Sequence, residues 1–394
     1  MPEVHTAEAS KLMLAFARRT GLAPDSDRPP QRYLWTDAFA VCNYFGLARI
    51  TGEKQYKELA LRLINQVHHV LGRHRNDDSR SGWISGLSEQ EGETHPTRGG
   101  LRIGKRLPER GESDSFDDRL EWERDGQYFH YLTKWMHALD QASRATGNPE
   151  FNTWARELAA TAHDAFTYTP SPGNAPRMYW KMSIDLTRPL VPSMGQHDPL
   201  DGYITAMQLN ATTAGFSQSN TGPDLDEAIQ QYAAMTNTAG LASTDPLGIG
   251  GLLVDVYRVA QLIDQGRTSK DNLPVQLLDA ALSGLEHYAH SVELQAPAEY
   301  RLAFRELGLA IGLHAVDHLQ EIETAFNTES RNVLDRLMRY VPIADEIETF
   351  WLEPENRDAL TWTEHLDINE VMLATSLIAD GFLMLQPISE TGTD

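Results

Sequence analysis

"ARITGEKQY" (Ala48 to Tyr56) and "SRATGNPEF" (Ser143 to Phe151) share one pattern, Arg-x-Thr-Gly-x-x-x-aromatic. Each follows an apolar run, "FAVCNYFGL" in the first case and "FHYLTKWMHALDQA" in the second. Gly52 and Gly147 suit the left-handed residue that ends a helix. A second helical pattern begins almost at once, so each stretch reads as the turn of a tight helical hairpin. A further internal repeat sets "DPLDGY" (Asp198 to Tyr203) against "DPLGIG" (Asp245 to Gly250). Both place Asp at an N-cap and Pro at the first helical position.

Working outward, helical periodicity predicts twelve helices, at 6–20, 36–50, 53–72, 126–146, 149–166, 199–214, 224–236, 246–265, 273–291, 299–318, 320–340 and 367–386. The first member of each pair is apolar nearly all round. The second is amphipathic, as in "KQYKELALRLINQVHHVL" (Lys54 to Leu71). A helix apolar all round is buried, and one with a polar face lies outside. Six inner helices start near 36, 126, 199, 246, 299 and 367. Five outer helices follow, and residues 6–20 supply the sixth. The expectation is a single all-α domain over 1–394, an (α/α)6 toroid. Its loop insertions, 73–125, 167–198 and 341–366, lie over the starts of the inner helices, and residues 73–122 and 167–197 form a small irregular or β-containing cap there, with "RMYWKMSIDL" (Arg177 to Leu186) as a strand in it. Unequal repeat spacings disfavour an open solenoid.

The 394 residues are 41% hydrophobic and carry a formal net charge of −22. That balance argues against nucleic-acid and anionic-membrane partners, which need clustered Lys and Arg. The lone cysteine, Cys42, excludes an intramolecular disulfide and a cysteine zinc site. No 18-residue apolar run stands out, and the N-terminus lacks a basic leader, so a cytoplasmic location is expected. No cofactor or metal is expected. "DDRLE" (Asp117 to Glu121) fits an aspartate-rich magnesium motif, but it precedes a helix and has no second motif. "GGLRIG" (Gly99 to Gly104) lacks the strand–turn–helix setting of a dinucleotide fingerprint.

The starts of the inner helices are dense in chemistry. They hold Tyr33, Trp35 and Asp37; Trp122, Asp125 and Tyr128; His197, Asp198 and Asp201; Arg305 and Glu306; and Trp362, Glu364 and His365. Trp180 lies in a long connection, and aromatics gathered at a cup suit the apolar faces of sugar rings. Asp198 and Asp245 read as caps. Asp201 does not, because the sister repeat has Gly248 at its place. In helical repeat, Thr-Gly hairpin turns and Trp/Asp/His-rich helix starts, the chain resembles the six-hairpin glycosidase-like superfamily, which includes unsaturated-glycuronyl hydrolases and N-acylglucosamine and cellobiose epimerases. The resemblance implies a carbohydrate substrate without fixing the reaction.

Glycoside hydrolysis needs a carboxylic acid and a carboxylate, and Asp125 and Asp201 are the expected pair, with Glu364 as substitute. Epimerisation or isomerisation needs two bases, for which His197 and His365 are the candidates. A non-catalytic binding or scaffold protein is the third reading. The basic segment "RGGLRIGKRLPERGE" (Arg98 to Glu112) is expected either to fold over the cup, with Arg102, Lys105, Arg106 and Arg110 gripping an anionic group, or to pair with the acidic stretch that follows. The expected partner is a short, optionally anionic sugar, and a homo-oligomer is left open.

Overall fold

The computed structural model describes residues 2–171, 174–216, 222–268 and 272–389; residues 172 and 173 of the expected cap lie outside it. The helices in chain order are α1 (Pro2–Arg19), α2 (Leu34–Thr51), α3 (Lys54–Leu71), α4 (Glu89–Thr94), α5 (Asp118–Glu123), α6 (Phe129–Thr146), α7 (Pro149–Phe166), α8 (Asp198–Thr213), α9 (Asp226–Met235), α10 (Pro246–Asp264), α11 (Leu273–Ala289), α12 (Ala303–Leu319), α13 (Thr328–Leu337), α14 (Pro342–Leu352), α15 (Pro354–Arg357), α16 (Leu360–Thr363), α17 (Leu366–Leu377) and α18 (Asp380–Leu383). All twelve expected helices are among them.

The segment 341–366, expected as a loop, is instead largely helical. Pro342 opens α14, and Ala344, Ile347, Glu348 and Trp351 recur at helical spacing on its buried face. The last expected helix stops short of residue 386. It breaks at Ile378 (φ −132°, ψ 50°) before α18 begins. The strands are short: β1 (Gln127–Tyr128), β2 (Thr167–Tyr168), β3 (Arg177–Met178), β4 (Lys181–Met182) and β5 (Pro189–Val191). They form an antiparallel β1–β4–β5 sheet and a β2–β3 pair. The strand expected over Arg177 to Leu186 is therefore divided between two sheets.

The chain forms two compact units. One comprises Met1–Phe16, Gly46–Glu53 and Asn237–Leu385; the other comprises Ala17–Phe45, Lys54–Thr236 and Gln386–Asp394. In the first, α10 packs on α11 and α12, and α12 on α14 and α17. Gly250, Gly308 and Gly312 bring α10 and α12 so close that a Cβ at Gly250 would collide with the α12 backbone. Contrary to the expectation of no such run, the 19 residues of α10 are long and apolar enough to cross a membrane, with mean hydropathy 1.3. They are 72% buried, as befits a core helix.

In the second unit α6 packs on α7 and α8, and α8 on α9. The Thr-Gly turn works as its sequence implies. Gly147 adopts φ 69° and donates its N–H to Ser143 O. Thr146 Oγ1 donates to Ala142 O (2.7 Å) and accepts from the Asn148 N–H (3.2 Å). Asn148 then caps α7 through the Glu150 N–H. Thr51 makes the same two bonds, to Leu47 O and from the Glu53 N–H, with Gly52 at φ 72°.

Candidate active site

The basic segment is threaded through the second unit. Leu101 and Ile103 are fully buried. Ile103 O accepts the Leu34 N–H, the Ile103 N–H reaches Gly126 O, and the Arg102 N–H reaches Leu71 O. The Arg102 guanidinium donates to Val70 O (2.7 Å), Arg73 O (3.0 Å) and Asp125 Oδ2 (2.9 Å). A cation there satisfies carbonyls at the end of α3, where the helix dipole favours positive charge. Asp125 is buried and fully engaged. It also accepts from Arg75 (3.2 Å) and from the N–H groups of Gly104 (2.9 Å) and Lys105 (3.3 Å). Arg110 pairs with Glu121 (2.9 Å), whose other oxygen takes the buried Lys181 ammonium at 2.9 Å.

These bonds fix the approach to α6, and the reactive groups follow on its first two turns. Tyr128, the last residue of β1, and His130 on α6 pack against Trp180, which follows β3, and Tyr131 and Lys134 come next along α6. The rings of Tyr128 and Trp180 lie 5.4 Å apart, and Trp122 meets Trp180 edge-on at 4.9 Å. His130 stacks on Trp180 at 6.0 Å and 20°. The Tyr33 and Tyr131 hydroxyls share a hydrogen bond of 2.8 Å.

Facing this cluster, α8 carries Asp198 and Asp201 one turn apart. Asp201 accepts from Thr133 Oγ1 (2.5 Å) and pairs with Lys134 Nζ (2.8 and 3.0 Å). Asp198 is 6% exposed, and among the described residues its Oδ2 has no hydrogen-bond partner. Burial, reinforced by the Asp201 charge, pushes its carboxyl up to about 7, with Lys134 opposing. His130 Nδ1, also without a partner, stands 4.0 Å from Asp198 Oδ1. Burial and the Lys134 ammonium push His130 down to about 4, so it is neutral at pH 7. A carboxyl whose proton is held up to about pH 7 thus stands beside an ion-paired carboxylate and a neutral imidazole.

No family model and no curated protein matches the sequence. Among solved structures, a GH76 α-mannanase from Bacteroides thetaiotaomicron superposes with a TM-score of 0.56 over 96% of this chain and 99% of its own, at 11% identity. The cellobiose 2-epimerase from Spirochaeta thermophila gives 0.52 over 96% and 97%, at 12% identity. The fold is the (α/α)6 toroid. It is the six-hairpin architecture that the sequence resembled.

On this toroid the expected site residues separate into three groups. Asp201, Trp122, Tyr128, Trp180 and Tyr33 belong to the cluster just described. His197 precedes α8 and is half-buried. A second group turns out to be structural. Asp125 is saturated by arginines and amides, and Arg102 closes α3. Asp37 is buried, binding the Tyr33 N–H (2.9 Å) and Arg32 (3.4 Å). Trp35 packs inside against Phe39. In the first unit Trp362 is buried against Trp351, with ring centroids 5.5 Å apart. The third group meets neither description. Arg106, Glu364 and His365 are exposed. Arg305 pairs with Asp245 beside a 360 Å³ cavity in the first unit. The sequence reading took Asp198 for a cap and did not single out His130 and Lys134, which the structure brings to this cluster. Their i, i+4 spacing, with Thr133 between them, was the available signal.

Proposed function

We propose that the protein is a carbohydrate-active enzyme, a glycoside hydrolase, with Asp198 as its general acid. The observation that carries this reading is a buried carboxyl with one oxygen unpartnered, raised to about 7 beside the ion-paired Asp201. Glycosidases need such a proton donor at neutral pH. In the proposed step Asp198 gives its proton to the glycosidic oxygen as the bond to the anomeric carbon breaks, and that bond's electron pair stays with the departing oxygen. A water molecule completes the sugar, giving its proton to a carboxylate base. Glu123 is the candidate base. It is exposed, forms no side-chain hydrogen bond among the described residues and acts electrostatically on Tyr33 and Tyr128. Asp201, ion-paired with Lys134, adds its charge to the burial that raises Asp198. Trp122, half exposed, and the half-buried Trp180 supply ring faces for a pyranose, with the buried Tyr128 packed behind them.

A sugar epimerase or isomerase is the second reading. It rests on the neutral His130 beside Asp198, an acid and a base within reach of one proton, on a fold shared with an epimerase. Proton NMR in D2O with a panel of disaccharides and uronic-acid oligosaccharides separates the two. New anomeric signals, lost in Asp198→Asn and diminished in Glu123→Gln, support the hydrolase. Deuterium entering C2 without cleavage, lost in His130→Ala, supports the epimerase. No change with any sugar removes both.

A further inference from the structure

The cations of the 98–112 segment differ in what they touch. Arg98 donates to Glu157 (3.0 and 3.1 Å). Arg102 is held by Asp125 and two carbonyls, and Arg110 by Glu121 and Leu190 O. Arg106 is exposed to solvent. Lys105 is the exception. Its side chain is half-buried, yet among the described residues its ammonium forms no hydrogen bond and no ion pair. It lies 5.6 Å above the ring centroid of Tyr33.

An ammonium that has given up water without gaining an acceptor is in an unfavourable setting, and its pKa is accordingly lowered by burial. Two carboxylates act on it, Glu123 and Asp125. Glu123 is exposed, and the Asp125 oxygens are occupied by Arg75, Arg102 and backbone amides. The neighbouring Lys181 marks the contrast. It is fully buried and donates to Glu121 O, Glu121 Oε1 and Arg124 O, at 2.7 to 2.9 Å. Lys181 is structural, whereas Lys105 is left without an acceptor. Tyr33 bonds Tyr131, and the Tyr131 ring touches those of Tyr128 and His130, at 5.2 and 4.9 Å. Lys105 therefore borders the aromatic wall of the candidate active site.

We propose that Lys105 receives an anionic substituent of the sugar, a carboxylate or a phosphate, and so selects charged over neutral substrates. The inference rests on the carbohydrate reading above and names its substrate class. The test is titration calorimetry of the full chain carrying Asp198→Asn to prevent turnover, with and without Lys105→Met. The probes are methyl glucuronides, glucose 6-phosphate and neutral methyl glucosides of either anomeric configuration. At least one anionic probe should bind about tenfold more tightly than the neutral ones, from one charge-assisted hydrogen bond. Lys105→Met should erase that margin and Lys105→Arg should keep most of it. Which anion binds identifies carboxylate or phosphate. Lys105 forms no hydrogen bond through its ammonium among the described residues, so Lys105→Met should melt with its parent. Equal binding of charged and neutral sugars, or a margin that survives Lys105→Met, overturns the role of Lys105 and leaves the carbohydrate reading standing. Binding of no sugar overturns both.

Discussion

At Asp245 the tripeptide Asp-Pro-Leu opens α10 with the aspartate outside the helix. Its backbone is extended (φ −72°, ψ 122°), and its carboxylate accepts the Leu247 N–H at 3.0 Å. At Asp198 the same tripeptide opens α8 with the aspartate already inside, because the preceding His197 is near-helical (φ −101°, ψ −8°). The Asp198 side chain makes no cap bond and is turned into the interior, where Asp201 replaces the glycine of the sister repeat. The Asp245 side chain is 39% exposed and also meets Arg305, while the Asp198 side chain is 7% exposed and one of its oxygens has no partner among the described residues. A one-residue shift in helix start thus separates an aspartate that caps a helix from one whose carboxyl is pushed up to about 7. The first satisfies a helix end, and the second is set against burial and a like charge.

The sharpest way to break this comparison is to neutralise both. Asp198→Asn should lower kcat on a cleaved glycoside by about 100-fold or more, the scale of general acid catalysis. Asp245→Asn should leave kcat unchanged. The rate carried by Asp198 should fall as pH rises through about 7 and the acid loses its proton. Stability carries the same sign. A carboxyl raised from 3.8 to about 7 binds its proton more tightly when folded. Its contribution is complete below pH 4 and is lost as pH rises through 7. Asp198→Asn should flatten that slope in denaturant titrations, and an unchanged slope would place the buried proton elsewhere.

A smaller effect tests the charge beside it. Lys134→Met leaves the Asp201 carboxylate without its ammonium and should cost about 2 kcal/mol by urea unfolding. Adding Asp201→Asn should return part of that loss, since the stranded charge is then gone. The smallest effect belongs to the sister repeat. Asp245→Ala should cost about 1 kcal/mol, the usual worth of an N-cap, measured as a shift in the urea midpoint.

The hairpins were legible because their turn chemistry is local. Thr51 and Thr146 each bond back to the helix and forward into the next turn, and the following glycine takes the left-handed conformation. The site was legible only in part. Asp-Pro-Leu reads as a cap in both repeats, and nothing in the tripeptide reports the backbone angle of His197. Asp125 looked reactive because sequence cannot show that Arg75 and Arg102, fifty and twenty-three residues upstream, converge on it. Tryptophans of the connections were read as sugar platforms. Burial decides that role, and it leaves Trp122 and Trp180 while placing Trp362 in the interior. Lys134 escaped notice because its meaning depends on a carboxylate 67 residues away.

The central claim is that Asp198 holds its proton far above the ordinary carboxyl range, up to about pH 7. Carbon-13 NMR titration of the aspartate carboxyl groups, compared between wild type and Asp198→Asn, measures it directly. The account predicts one carboxyl resonance with a midpoint near 7 that vanishes in the variant. An Asp198 carboxyl titrating near its ordinary 3.8 would contradict it.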